Sequence, residues 1–247
     1  MTLSIAELNS HAEWFVDPSR SPRDNAGPHL IVVDDFYADP IGVRALALSH
    51  RFEQWSPPSA DQVGDELAAK YRRSKGTWMS TANVVFAGKR VRQPFYGWRH
   101  NPPEVARQLE RVVGESIIAE TWDTDGDYWN GAFQLTDGDY EVSAIHHHYK
   151  DGDVAQRGWS GVVYMTPDAP AELGTSIWRT KSTGQCIASH GGYFESDVSK
   201  FELAYLVENR FNRLVLFREN VLHRGERGFG TGHDARLVQT FFFRTTP

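Results

Sequence analysis

From residue 128 onward the chain is a succession of short, strongly β-forming runs: 128–135, 140–146, 161–165, 176–179, 213–217, 221–224 and 236–244. Gly, Asp, Asn and Pro occupy the intervals between them. Runs this short, separated by turn formers, are satisfied by pairing with antiparallel neighbours, and several in succession predict a sandwich or barrel. The expected fold is therefore mainly β (α+β). With 247 residues, 40% of them apolar and 13% aromatic, the chain can fill one sizeable core, and β folds of this length are commonly single domains.

The residues before this region are read as a buttress. A short helix is expected over 5–15, followed by the Pro- and charge-rich stretch 17–24, so that residues 1–27 form an N-terminal arm and 28–247 the domain proper. Leu30-Ile31-Val32-Val33 predicts a strand. Asp39-Pro40 predicts a helix start, because Asp39 can accept from free backbone N–H groups and Pro40 suits the first turn. Residues 50–100 show no clean period. The recurrence of Val105, Leu109, Val112, Val113 and Ile117 predicts an amphipathic helix over 104–118. Phe201, Ala204, Tyr205 and Val207 predict another over 199–208. No internal repeat or low-complexity segment is visible.

Composition narrows the function classes. The net charge is −6, and the one short basic cluster, Arg72-Arg73-Ser74-Lys75, reads as a solvated loop, so a nucleic-acid partner is not expected. No apolar run reaches the ~20 residues that cross a bilayer, and residues 1–8 lack the pattern of a signal peptide. The single cysteine, Cys186, excludes an intramolecular disulfide and fits the expected cytoplasmic location.

The chemistry concentrates at Ile145-His146-His147-His148, which is followed by Asp151 and Asp153. A lone histidine near a strand is most often a hydrogen-bonded structural residue. Alternation along an extended segment, however, puts His146 and His148 on one side and His147 on the other, a ready source of two metal ligands. His223, beyond the strand 213–217 and a polar turn, is the candidate third. Non-haem iron is commonly held by two imidazoles and one carboxylate on one face. Strand geometry favours the pair His146 and His148. Charge favours a carboxylate, supplied by Asp151 after His148 across a small bulge, or by Asp151 or Asp153 with His146 through a longer loop. Both arrangements stand at this point. Arg236, at the head of the strand 236–244, needs an anionic partner if buried, either a structural Asp such as Asp234 or a ligand carboxylate.

Together these residues resemble the 2-oxoglutarate/Fe(II)-dependent dioxygenases with a double-stranded β-helix (jelly-roll) fold, and more narrowly their prolyl-hydroxylase-like members. The resemblance rests on several stretches. Val32-Val33-Asp34-Asp35-Phe36-Tyr37 with Asp39-Pro40 is the first, then Phe133-Gln134-Leu135 and the blocks 161–170, 174–179 and 212–217. His223 and Arg236-Leu237-Val238-Gln239-Thr240-Phe241-Phe242-Phe243 complete it, so that it covers most of 30–247. The family's proximal His-X-Asp motif is missing, since the Asp position after His146 is occupied by His148. The resemblance implies a jelly-roll core with flanking N-terminal helices and Fe(II) held by His223 with His146, His148 or Asp151. It implies 2-oxoglutarate held at its far carboxylate by Arg236, with Tyr164 and Thr175 as further cofactor contacts. It also implies consumption of O2 and hydroxylation of a small molecule, amino acid or peptide, with release of succinate and CO2. Trp159, Trp178, Arg179 and Arg224 are the candidate substrate contacts. The competing readings are a cupin-like enzyme with a three-His site that does not use 2-oxoglutarate, and a non-catalytic jelly-roll binding module.

Overall fold

A computed structural model describes residues 12–15, 29–50, 52–54, 84–86, 89–91, 95–122, 130–138, 144–148, 158–188, 194–195 and 197–246. The chain enters through β1 (Ala12–Phe15) and β2 (Leu30–Val33), then helix α1 (Pro40–Leu48) and β3 (Glu53–Gln54). A small hairpin follows, β4 (Val84–Phe86) with β5 (Lys89–Val91), and then β6 (Phe95–Arg99), α2 (Pro103–Val113), β7 (Ser116–Ile117) and α3 (Ala119–Trp122). The next strands are β8 (Ala132–Thr136), β9 (Ile145–His146), β10 (Gly158–Tyr164) and β11 (Thr175–Thr180). Last come β12 (Phe194–Glu195), β13 (Phe201–Val207), β14 (Leu214–Arg218), β15 (His223–Gly225) and β16 (Arg236–Thr246).

Strand order defines the architecture. A nine-stranded sheet runs β1-β2-β14-β10-β16-β8-β6-β3, with β7 paired to β16, and a five-stranded sheet runs β12-β9-β15-β11-β13. From β8 to β11, and again from β13 to β16, the chain alternates between the two sheets, so that it winds twice around one axis. Every strand pairing among the described residues is antiparallel. This is a double-stranded β-helix, or jelly roll, with helices on one side, as the run of short strands and the family resemblance lead one to expect.

Side-chain parity shows how the layers form. On β10, Trp159 and Val163 join Leu214, Leu216, Phe241 and Phe243 in a core that also takes Val105, Leu109 and Val112 from α2. The alternate residues Tyr164, Val215, Phe217 and Val238 face the other way and meet Ile177 and Val207 of the smaller sheet. The larger sheet is thus apolar on both faces, one under the helices and one inside the barrel.

Local structure follows the sequence in most places and departs in a few. Asp39 accepts from Gly42 N at 2.8 Å and Pro40 opens α1, as expected. The helix predicted over 104–118 stops at Val113, because Gly114 turns left-handed (φ 72°) and Ser116–Ile117 pair instead with Thr245 and Thr246. The helix predicted over 199–208 is corrected to a strand. After the 3-10 turn Val198–Lys200, β13 pairs along β11 from Thr180↔Phe201 to Thr175↔Val207. Within the segment read as a helix over 5–15, Ala12–Phe15 forms a strand on β2, and residues 5–11 lie outside the described residues. Among the described residues no helix is long and apolar enough to cross a membrane.

Candidate metal centre

The smaller sheet brings the histidines together. His146 ends β9, His223 begins β15, and the two are directly paired. His148, two residues after His146, turns its ring to the same side, with ring centroids 5.1 Å from His146 and 4.8 Å from His223. The His146 and His223 rings are 4.3 Å apart. One ring nitrogen from each of the three lies within 4.8 Å of the others. His223 also pairs with Ile177, an inward residue, so the cluster faces the space between the sheets.

Each ring is tethered at Nδ1. His146 Nδ1 is 2.9 Å from Ala144 O, and His223 Nδ1 is 2.8 Å from Val221 O. A carbonyl oxygen can only accept, so both rings carry their proton on Nδ1 and leave Nε2 bare. His148 Nδ1 is 2.6 Å from Ser160 Oγ. Burial holds His223 well below the usual histidine range, and the neighbouring rings of His146 and His148 act in the same direction. His146 is also lowered by burial, partly offset by its bond to Ala144. Three imidazoles that converge and are each tethered at Nδ1 fit a divalent transition metal, and outer partners of this kind are what orient metal-bound histidines.

The opposing wall is aromatic. Phe217 lies 4.1 Å from the His223 ring and Phe242 lies 5.1 Å from the His148 ring, centroid to centroid. Deeper in the same space stand Arg236, Tyr164 and Thr175. Arg236 shares a face of β16 with Val238, Thr240 and Phe242, and its guanidinium bonds Leu173 O and Gly174 O at 3.3 and 3.4 Å. It lies 6.0 Å from the Tyr164 ring. The Tyr164 hydroxyl donates to Thr175 Oγ1 at 2.8 Å, and burial pushes its pKa up to about 12. Thr175 is two residues from Ile177, so this polar group sits about 7 Å along the strand from the His223 level.

Of the other expected site residues, Trp159, Trp178 and Arg224 lie away from the cluster. Asp151 and Asp153 lie outside the described residues. Trp159 is fully buried on the helix side of β10, with Arg218 stacked on it at 3.8 Å, so the sheet separates it from the histidines. Trp178 and Arg224 share the outer face of the smaller sheet. There Arg224 lies 4.7 Å over the Trp178 ring and pairs with Glu226 at 3.0 Å. Arg179 falls on the inner-face parity of β11, two residues past Ile177, and pairs with Glu202 at 3.6 Å. Of the four, Arg179 alone remains on the side of the histidines. Sequence reasoning missed Ser160, Phe217 and Phe242. The signal for Ser160 was present, since it shares the parity of Tyr164 in a mostly apolar β10.

The model of a family of unknown function, DUF6445, matches residues 146–227, a span that holds all three histidines and stops short of Arg236. No curated protein matches the chain. Among solved structures the chain is similar to a prolyl hydroxylase from Trichoplax adhaerens, solved in complex with a hypoxia-inducible-factor peptide fragment. The identity is 11%, covering 98% of this chain and 87% of that one, with a TM-score of 0.47. It is similar to the non-heme alpha-ketoglutarate-dependent epimerase SnoN from nogalamycin biosynthesis, at 13% identity over 88% and 76% of the two chains, TM-score 0.47. A Pseudomonas putida prolyl-4-hydroxylase matches at 13% identity over 89% and 94%, TM-score 0.41. These likenesses are remote, and the fold and site described above rest on the chain's own strand order and side chains.

Proposed function

We propose that this protein is a non-haem Fe(II)/2-oxoglutarate-dependent oxygenase that hydroxylates a small molecule, amino acid or peptide and releases succinate and CO2. The observation that carries the reading is a shared inner face. Three convergent imidazoles and a buried arginine lie on the inward parity of the two sheets of one jelly roll. His146, His148 and His223 would hold the metal, which when bound supplies O2 activation. Arg236 would bind the far carboxylate of the co-substrate, with the Tyr164 and Thr175 hydroxyls beside it. Phe217 and Phe242 exclude water from the metal side, which strengthens every electrostatic contact inside. Arg179, on the inward parity of β11, is the remaining candidate for a substrate acid group.

The test is anaerobic titration with Fe(II) and 2-oxoglutarate, read as the visible charge-transfer band of the chelated co-substrate. The band is expected in the native protein and absent in His223→Ala. Arg236→Ala should weaken 2-oxoglutarate by about 10- to 100-fold, the value of a charge-assisted hydrogen bond. One observation favours a second reading: the described cluster contains three imidazoles and no carboxylate. Fe(II) binding without the band would make the protein a cupin-like three-His enzyme that does not use 2-oxoglutarate. No metal binding at all would leave a jelly-roll binding module.

A further inference from the structure

On the wall facing the histidines, Ser160 is the polar side chain that hydrogen-bonds one of them. It lies on β10, 1% exposed, paired across the sheet with Phe217 on one side and Phe242 on the other. The rings of both phenylalanines lie against His148, at 6.5 and 5.1 Å between centroids. A hydroxyl buried in an aromatic wall loses its hydration and needs a partner. The His148 ring supplies it at 2.6 Å through Nδ1.

That bond distinguishes His148 from its neighbours. His146 and His223 are each tethered by the carbonyl two residues before them, a contact made by the local backbone of their own segments. His148 is tethered by a side chain twelve residues on, from the opposite sheet. Its ring orientation is therefore set across the barrel, and a hydroxyl, unlike a carbonyl, can either donate or accept. For His148 to offer Nε2 to a metal, Nδ1 must carry the proton and Ser160 must accept it.

We infer that Ser160 is the positioning residue that makes His148 the third metal ligand, in the place where the resembling family has a carboxylate. The hydroxyl accepts from Nδ1–H, Phe242 and Phe217 limit rotation of the ring, and Nε2 is left aimed at the other two imidazoles. The inference rests on the metal-centre reading of the histidine cluster but not on 2-oxoglutarate or on any substrate.

The experiment compares native protein, Ser160→Ala and Ser160→Thr, with His148→Ala as reference. Anaerobic Co(II) titration, followed by d–d absorption, gives affinity and coordination together. Ser160→Ala should bind Co(II) about 10- to 100-fold more weakly, the usual effect of removing an outer partner of a ligand histidine. Its spectrum should move toward that of His148→Ala. Ser160→Thr, which keeps the hydroxyl, should restore most of the affinity. In the metal-free protein, the ring nitrogens of His148 are read by 15N NMR, where Ser160→Ala should shift the Nδ1 resonance and leave those of His146 and His223 in place. Native affinity and spectrum in Ser160→Ala would overturn the inference. So would an unchanged His148 Nδ1 resonance, whether or not a metal binds. A native protein that binds no Co(II) would overturn the metal centre itself, and Ser160 with it as a metal-positioning residue. A Ser160 effect on Co(II) without a 2-oxoglutarate band would instead retain this inference and discard the oxygenase.

Discussion

At the scale of single residues, Arg218 is a buried charge away from the histidine cluster. Its side chain is 3% exposed, bonds Glu115 Oε1 at 2.6 Å and stacks on Trp159. Burial alone would push the Glu115 carboxyl up, but hydrogen bonds from Arg218, Thr245 and Trp159 outweigh it and hold the group below the usual range. A carboxyl depressed by folding adds stability above its unfolded value near 4.3, and that contribution is lost as pH falls through the folded value. Glu115→Gln keeps the shape and removes the charge, leaving Arg218 buried without its counter-ion. It should cost about 1–3 kcal/mol at pH 7, below the usual range for a buried pair because Glu115 is partly solvated. In urea unfolding the gap to native protein should close as the pH drops below about 4. A gap independent of pH would show that packing of Glu115, and not its charge, is what matters. The same pair meets Trp159 on the helix side of β10. Alternation along β10 sets Trp159 opposite Tyr164 and Ser160, so Trp159 and Tyr164 could not both line the histidine side.

At the scale of elements, legibility depended on how many signals agreed. Leu30–Val33, Leu214–Arg218 and Arg236–Thr246 are dense in β-branched and aromatic residues and formed the strands expected of them. The helices expected after Asp39-Pro40 and over 104–118 also formed, though α2 ended early at Gly114. The failure was at β13, where Phe201, Ala204, Tyr205 and Val207 satisfy a helical spacing as well as an extended one. Tertiary pairing decided it, because β11 needs a partner on its outer edge and β13 supplies it along its full length. That edge is fitted closely at Gly174, where an added Cβ would collide with the Val207 carbonyl oxygen and crowd Asn209 N at 2.8 Å. Gly174→Ala should therefore destabilise by more than about 2 kcal/mol, well beyond an ordinary surface substitution. Thermal unfolding checks this. A native-like midpoint would mean that β13 can shift away from β11 without penalty. Because Gly174 O also accepts from Arg236, the variant should weaken any ligand that Arg236 holds.

At the scale of the whole molecule, the histidines of the cavity come from separate passages of the chain. His146 and His148 belong to the first winding and His223 to the second, while Ser160 and Phe242 belong to the opposite sheet. The His146–His148 pair was readable as a strand alternation. His223 was readable too, as the candidate third ligand beyond the strand 213–217, and it meets His146 within the smaller sheet. The wall behind them was not, because it depends on how the two sheets close. A ligand that bridges both windings ties them together, so metal binding and folding must be linked. A metal that binds the folded chain alone stabilises it by about 2.7 kcal/mol at a free concentration 100 times its dissociation constant. For a chain of this size that corresponds to roughly 5–10 °C in unfolding midpoint. Anaerobic Fe(II) or Co(II) should raise the midpoint by this amount, and a chelator should reverse it. His223→Ala should abolish the shift, because the remaining pair lies within a single winding. A shift that survives in His223→Ala would place the binding on the 146–148 segment alone. No shift in native protein would separate the histidine cluster from metal binding, and the jelly roll would then stand as a binding module without a metal centre.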